Sequence, residues 1–185
     1  MKLSIIIVHY NVAKLLKNCL VSIQKYAQGF DYEIIVVDNC SPDSEWQELK
    51  SEFQSVQFIS SEINLGFAVA NNSAAKIANG EYILLLNPDT EIEDYYLSEI
   101  LEFADNQDYF GCLGVHMHDA HGRFLPESKR AVPDMFNSFE KLFTAFKKNN
   151  SKSYYRSDVG ENEIAEVEVV TGAFLLMKRD LYLEV

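Results

Sequence analysis

Three hydrophobic runs of strand length, each stopping abruptly at polar residues, constrain this chain more than any other feature. Leu3-Ser4-Ile5-Ile6-Ile7-Val8 stops at His9-Tyr10-Asn11, Glu33-Ile34-Ile35-Val36-Val37 at Asp38-Asn39, and Tyr82-Ile83-Leu84-Leu85-Leu86 at Asn87-Pro88-Asp89. Unbroken β-branched and aliphatic runs mark strands covered on both faces, as in parallel sheets. Amphipathic stretches separate them. Asn11 is placed to cap a helix whose Val12, Leu15, Leu16, Cys19, Leu20 and Ile23 share one face, with Gly29 as its end signal. A polar helix is expected from Ser41-Pro42-Asp43 to about Phe53, a weak strand over 56–60 and an alanine-rich helix over 65–79. A helix over 94–105 follows, with Leu97, Ile100, Leu101 and Ala104 inward. Repeated strand–helix units predict an α/β, Rossmann-like domain: a mostly parallel central sheet flanked by helices.

Beyond residue 110 the pattern changes. Residues 110–118 read as a strand, and Asp119-Ala120-His121-Gly122-Arg123 as a polar turn into a hairpin. A helix is expected over 135–148 and a polar loop over 149–162, with strand-like character returning at 166–170 and 172–177. The expected organisation is one domain over 1–185. Residues 1–110 form its ligand-binding part, and 111–185 a smaller mixed β/helical portion.

Charge narrows the class of ligand. The chain carries 28 acidic against 16 basic residues, a formal charge of −12. That balance repels nucleic-acid backbones, so nucleic acid is excluded as a partner. A small anion that brings its own cation is not excluded. Residues 123–156 oppose the trend, with eight basic and three acidic residues. Cys19, Cys40 and Cys112 are too few and too scattered for a disulfide framework or a zinc site. His9, His116, His118 and His121 show no metal-ligand spacing and read as structural or surface residues, and Tyr10, Tyr95 and Tyr96 suit packing as well as stacking. No signal peptide opens the sequence, and the apolar runs fall short of the roughly 20 residues a membrane helix needs. The expected location is cytoplasmic, with peripheral contact at the inner face of the membrane left open.

In open α/β sheets, ligands bind outside the carboxyl ends of the strands. Here those ends carry Tyr10, Asp38 with Asn39, and Asn87 with Asp89. A carboxylate such as Asp38 can accept hydrogen bonds from a ribose or base, although Asp also opens turns for structural reasons. Asp89, stiffened by Pro88, suits a magnesium or manganese ion shared with a diphosphate. Asn-Pro-Asp encodes a turn and helix cap equally well, so both readings stand.

Taken together, these runs resemble the opening of inverting family 2 glycosyltransferases. Asn64-Leu65-Gly66-Phe67-Ala68-Val69-Ala70-Asn71-Asn72 with the run ending at Asp89 looks like the rhamnosyltransferase-type branch, and Thr171-Gly172-Ala173-Phe174-Leu175-Leu176-Met177-Lys178-Arg179 is similar to a later family motif. The resemblance implies a GT-A fold that binds a nucleotide-diphosphate sugar donor. It implies transfer to a hydroxyl of a glycan or lipid-linked saccharide acceptor, in cell-surface polysaccharide synthesis. Asp38 would meet the nucleoside and Asp89 would hold a divalent cation, Mg2+ or Mn2+. Asn87 stands where the family's Asp-x-Asp motif has its first carboxylate, which weakens the expected hold on the metal. Tyr10, Asn39, Asn64, Gly66, Asn71, Asn87 and Arg130 complete the candidate donor-binding set, Arg130 toward the diphosphate or the acceptor. The family's catalytic base follows the later motif by a few tens of residues, so it is expected beyond residue 185 and the chain is expected to bind donor without turnover. Two other functions compete. A nucleotidyltransferase would want a glycine- and basic-rich loop after the first strand, which His9-Tyr10-Asn11-Val12-Ala13 does not supply. A nucleotide-sugar-binding module without activity would differ in lacking donor hydrolysis.

Overall fold

In the computed structural model, residues 1–42, 44–125 and 163–185 are described. Six strands form one sheet: β1 (Leu3–His9), β2 (Tyr32–Asp38), β3 (Val56–Ser60), β4 (Tyr82–Leu86), β5 (Cys112–Leu113) and β6 (Phe174–Lys178). Their order is β3-β2-β1-β4-β6-β5. β3, β2, β1 and β4 are mutually parallel, whereas β6 runs antiparallel to β4 and β5 antiparallel to β6. The sheet is therefore mostly parallel with an antiparallel margin. Among the described residues the helices are α1 (Ala13–Tyr26), α2 (Glu45–Glu52), α3 (Gly66–Ala75), α4 (Tyr96–Asp105) and α5 (Arg179–Glu184).

All seven residues of β1 and all five of β4 are buried, as strands sandwiched between helices must be. Side chains alternate across the sheet. Ile6, Val8, Ile35, Val37, Ile83 and Leu85 pack on Ala70, Ala74, Ala75 and Ala78, so α3 covers one face, and Tyr182 of α5 joins it. Small alanines let α3 lie close to that face. The opposite face meets the remaining helices: His9 stacks edge-on against Trp46 of α2, and Tyr82 donates its hydroxyl proton to Asp105 of α4. Fully burying one of these aliphatic side chains is worth about 1.5–3 kcal/mol.

Several local expectations need correction. Asn11 does not cap α1: Val12 holds the cap position without a side-chain bond, and Asn11 turns left-handed at φ 57°. Leu15 faces solvent, at 44% exposed. α1 ends at Tyr26, with Gly29 in the left-handed region further on. α3 stops at Ala75 rather than 79. Of residues 110–118 only Cys112–Leu113 form a strand, and 166–170 form none. The hairpin turn does form: Asp119 N–H donates to the Arg123 carbonyl, Leu125 N–H to that of Met117, and His118 bridges Phe124. The helix expected over 135–148, the loop over 149–162 and Arg130 lie outside the described residues. Residues Met1–Leu113 with Gly172–Val185 form one compact unit, and Gly114–Thr171 a second. β6 and α5 thus belong with the sheet.

A polar junction locks the amino-terminal ends of β1, β2 and β4. Ser4 Oγ donates to Glu33 Oε1 (2.6 Å) and accepts Gly80 N–H (2.8 Å), while Glu33 also receives Asn79 N–H (2.6 Å). Gly80 must be glycine, because a Cβ there would lie 2.4 Å from Ser4 N and 2.7 Å from the Leu3 carbonyl carbon. Both obstacles are backbone. Gly80→Ala should cost about 1–3 kcal/mol in denaturant unfolding, as overpacking does. Burial works to raise the Glu33 pKa, but the bonds from Ser4 and from the amide and side chain of Asn79 outweigh it, and the net shift is downward from 4.5. A carboxylate with a lowered folded pKa contributes stability above its ordinary value and loses it as pH falls through the folded value. Glu33→Ala should therefore lower stability by about 1–2 kcal/mol at neutral pH. Below pH 4.5 the thermal midpoint of the variant should fall less steeply than the parent's. Equal pH slopes for the two proteins would show that the junction carries no linked proton.

Candidate functional site

The sheet reverses direction at β1. The chain steps outward through β2 and β3, then returns to place β4 on the other side of β1. Such a switch point opens a crevice at the carboxyl ends of the strands, where the adjoining loops part. β1 and β2 pair without a gap from Leu3↔Tyr32 to His9↔Asp38, so they finish level. Their end residues meet: His9 Nε2 lies 3.5 Å from Asp38 Oδ1, with the His9 side chain fully buried and Asp38 3% exposed. Asp38 Oδ1 also accepts Ser41 N–H (3.1 Å), and Ser41 Oγ accepts Asn11 N–H (2.8 Å). These bonds tie the loops after β1 and β2 together.

Asn11 (φ 57°) and Cys40 (φ 66°) are the only non-glycine residues with positive φ among those described. Each follows one of the two level strand ends. Left-handed backbone costs a residue with a side chain roughly 1–2 kcal/mol, and such conformations gather where loops serve a site. Tyr10 stands between His9 and Asn11 in the chain, half exposed.

The loop after β4 is fixed by its backbone. Asn87 N–H donates to the Ala173 carbonyl just before β6, and the Asn87 carbonyl accepts Thr90 N–H, closing a turn. Cys19 Sγ of α1 lies 3.8 Å from the same carbonyl. Ser22 Oγ accepts Ile92 N–H, and Asn18 Nδ2 donates to Glu91. Asn87 is half-buried and Asp89 exposed at the tip. Burial, with added repulsion from Asp89 and Glu91, pushes the Cys19 thiol up to about 12. That thiol senses a negative field at the end of β4.

Past β3, Asn39 Nδ2 donates to Asn64 Oδ1 and Gly66 N–H donates to the same oxygen. Gly66 opens α3 at φ 73°. Asn71 is buried, and its amide turns back to the Phe67 carbonyl (2.9 Å) rather than toward the strand ends. Arg130 lies outside the described residues. The fold thus brings Tyr10, Asp38, Asn39, Asn64, Gly66, Asn87 and Asp89 to the carboxyl end of the sheet and sets Asn71 inside the α3 packing. Sequence reading missed Ser41, Ser22 and the Ala173 carbonyl, which orient these loops. Only the short spacing from Asp38 to Ser41 gave a signal in advance.

Among the described residues no three His, Cys, Asp or Glu side chains group closely enough to hold a metal alone. Asp89 offers one exposed carboxylate and Asn87 an amide oxygen. That donor set suits Mg2+ or Mn2+, which take one or two carboxylates and draw their other ligands from phosphate and water. A depression of about 380 Å³ lined by Lys2, Phe30, Asp31, Leu101, Glu102 and Asp105 lies at the opposite, amino-terminal end of the strands. Its lysine is already engaged with Glu81, Asp105 and the Tyr82 ring.

Comparison with known proteins bears on the family and the fold. The poly(ribitol-phosphate) beta-glucosyltransferase of Bacillus spizizenii is 36% identical over 142 residues, covering 73% of this chain and 22% of the relative. The poly(ribitol-phosphate) beta-N-acetylglucosaminyltransferase TarS of Staphylococcus aureus is 29% identical over 143 residues, covering 73% and 24%. The crystal structure of S. aureus TarS 1-349 in complex with UDP-GlcNAc superimposes with a TM-score of 0.58 at 31% identity, over 69% of this chain and 38% of that one. The chain therefore spans about a quarter of the length of the curated relatives it matches. These relatives are named for glucosyl and N-acetylglucosaminyl transfer, not rhamnosyl transfer. The sequence profile described as Glycosyl transferase family 2 matches residues 4–182, which takes in all three strand ends of the site, and the chain belongs to that family.

Proposed function

We propose that this chain binds a uridine-diphosphate sugar together with a divalent cation at the carboxyl ends of β1, β2 and β4. The sugar then passes to a hydroxyl of a phosphate-bearing glycan of the cell surface, with inversion at the anomeric carbon. The observation that carries this reading is the level ending of β1 and β2 beside β4 at the switch point of the sheet, with Asp38 and Asp89 following the strands on either side of β1. The UDP-GlcNAc complex of the TarS relative supports uridine as the nucleoside.

Asp38 is assigned to the nucleoside, because it is a carboxylate already oriented by Ser41 and His9. Asp89, with the Asn87 amide beside it, is assigned to the cation between protein and diphosphate. Tyr10, Asn64 and Gly66 border the same loops. The cation would offset charge on the leaving diphosphate, a task this acidic protein has few side chains to perform. The acceptor is assigned to the basic stretch 123–156, Arg130 included, where a local excess of positive charge suits phosphate. Contact with anionic lipid at the inner membrane face belongs to the same reading. Among the described residues, no helix is long and apolar enough to cross a membrane.

Calorimetric titration with UDP-GlcNAc, with and without manganese, tests the assignment. Asp89→Ala should remove the manganese-dependent part of the affinity and leave UMP binding intact. Asp38→Ala should weaken UMP as well. Each loss should be roughly tenfold to a hundredfold, the range for a hydrogen bond to a charged group. Thermal melting would check that both variants fold. If both folded variants bind UDP-GlcNAc as the parent does, the site lies elsewhere.

A further inference from the structure

Two asparagine side chains fasten the loop between β3 and α3 to the end of β2. Asn39, 4% exposed, donates Nδ2–H to Asn64 Oδ1 at 3.0 Å and accepts Leu65 N–H at its own Oδ1 at 2.8 Å. Asn64 Oδ1 takes a second proton from Gly66 N–H at 2.9 Å. Around this pair, the Asp38 carbonyl accepts Ser61 N–H (2.9 Å) and Cys40 Sγ donates to the Glu62 carbonyl (3.3 Å). Both ends of the Asn39 amide are therefore engaged within the protein. Asn64, by contrast, is exposed.

We propose that Asn39 is a positioning residue for the donor site: acting through Asn64, it pre-forms the 61–66 loop beside Asp38, and the pair works in one polarity only. This rests on the reading of the strand ends as the donor site. The polarity follows from which atoms are used. Asn64 serves through an oxygen that accepts two protons, so a carboxylate there can do the same. Asn39 must donate, and a carboxylate there would set oxygen against oxygen. A loop held in its binding shape beforehand spares the ligand the cost of ordering it. Gly66, at φ 73°, gives that loop wide conformational freedom once the clamp is gone.

Asn39→Asp and Asn64→Asp add the same charge at nearly the same place, since the two amides are 3.0 Å apart. Repulsion of a diphosphate is thus common to both, and the difference between them reports the clamp. Hydrogen exchange at Leu65 and Gly66 without ligand should speed up about tenfold in Asn39→Asp and stay within about threefold of the parent in Asn64→Asp. With UDP-GlcNAc and manganese, Asn39→Asp should bind about tenfold more weakly than Asn64→Asp. Should the buried charge prevent Asn39→Asp from folding, Asn39→Ala carries the comparison with the parent at equal charge, with the same tenfold changes expected in exchange and affinity. Equal exchange in the two charged variants overturns the polarity of the pair. Faster exchange with unchanged donor affinity overturns the positioning role alone. A parent chain that does not bind UDP-GlcNAc with manganese overturns the donor-site reading, and the positioning role with it.

Discussion

The unbroken parallel pairing of β1 with β2, from Leu3↔Tyr32 to His9↔Asp38, is the constraint on which the site depends. Side chains on a strand alternate with a period of two, so a slip of one residue would exchange the faces of every residue on β2. The register leaves no room for that, because β1 is buried throughout and β2 is buried over its last five residues. In this register Asp38 has the parity of Ile34 and Val36, and His9 that of Ile5 and Ile7. Both side chains consequently fall on the sheet face that α2 covers. That is why His9 reaches Asp38 at 3.5 Å while its ring lies edge-on to Trp46. The orientation of the site carboxylate is thus inherited from hydrophobic burial several residues away.

The polar ends convert that alignment into a rigid rim mainly through backbone groups. Asn39 N–H donates to the His9 carbonyl, Ser61 N–H to that of Asp38, and Asn87 N–H to that of Ala173. Each bond satisfies a group that would otherwise be left unpaired where a strand ends. Each also ties one loop to a neighbour, and the side chains of Asn39, Ser41 and Asn64 add to the same lacing. The left-handed residues Asn11 and Cys40 fit this pattern, since both sit where the chain must leave a strand sharply without losing such bonds. At the amino-terminal ends the logic is reversed. There the side chains of Ser4 and Asn79 both donate to the Glu33 carboxylate, and glycine at position 80 leaves room for the close approach.

How much of this was legible in the sequence follows from which signals are local. The buried strands were, because a run such as Ile5-Ile6-Ile7-Val8 has few other uses, and β3 was visible despite being short. Where these strands stop was also readable, since polarity changes within one residue at His9 and at Asp38, but that the two ends are level follows only from their register. Cap and end positions were not. Asn11 has the chemistry of a cap, but the backbone needed a left-handed residue there and bonded it to Ser41, thirty residues away. Leu15 shows the same limit, because helical spacing gives a face but not its width. The return of residues 172–185 to the sheet was only half legible. Phe174-Leu175-Leu176-Met177 reads as a strand, but nothing local says that it lies antiparallel to β4. The Asn39–Asn64 bond was beyond reach for the same reason, since its polarity depends on which amide group faces which.

Electrostatics joins the fold to the proposed chemistry. A diphosphate placed at the end of β4 meets Asp89 and Glu91, whose charges already disfavour ionisation of the Cys19 thiol beneath them. Two like unit charges about 4 Å apart near a protein surface repel by about 4 kcal/mol, so direct contact between Asp89 and a phosphate would oppose binding. A divalent cation held by Asp89 would replace that repulsion with attraction to both groups. Asn87 bears on how such an ion arrives. A second carboxylate at that position would raise the affinity of the bare protein for the cation and also its repulsion of a donor arriving without one. An amide lowers both and leaves an oxygen able to accept a hydrogen bond or join the coordination shell. Under the proposed function, cation and diphosphate would favour each other's entry more strongly than either is favoured alone. Such coupling would suit a chain with a formal charge of −12 if its ligand is the anionic donor proposed above.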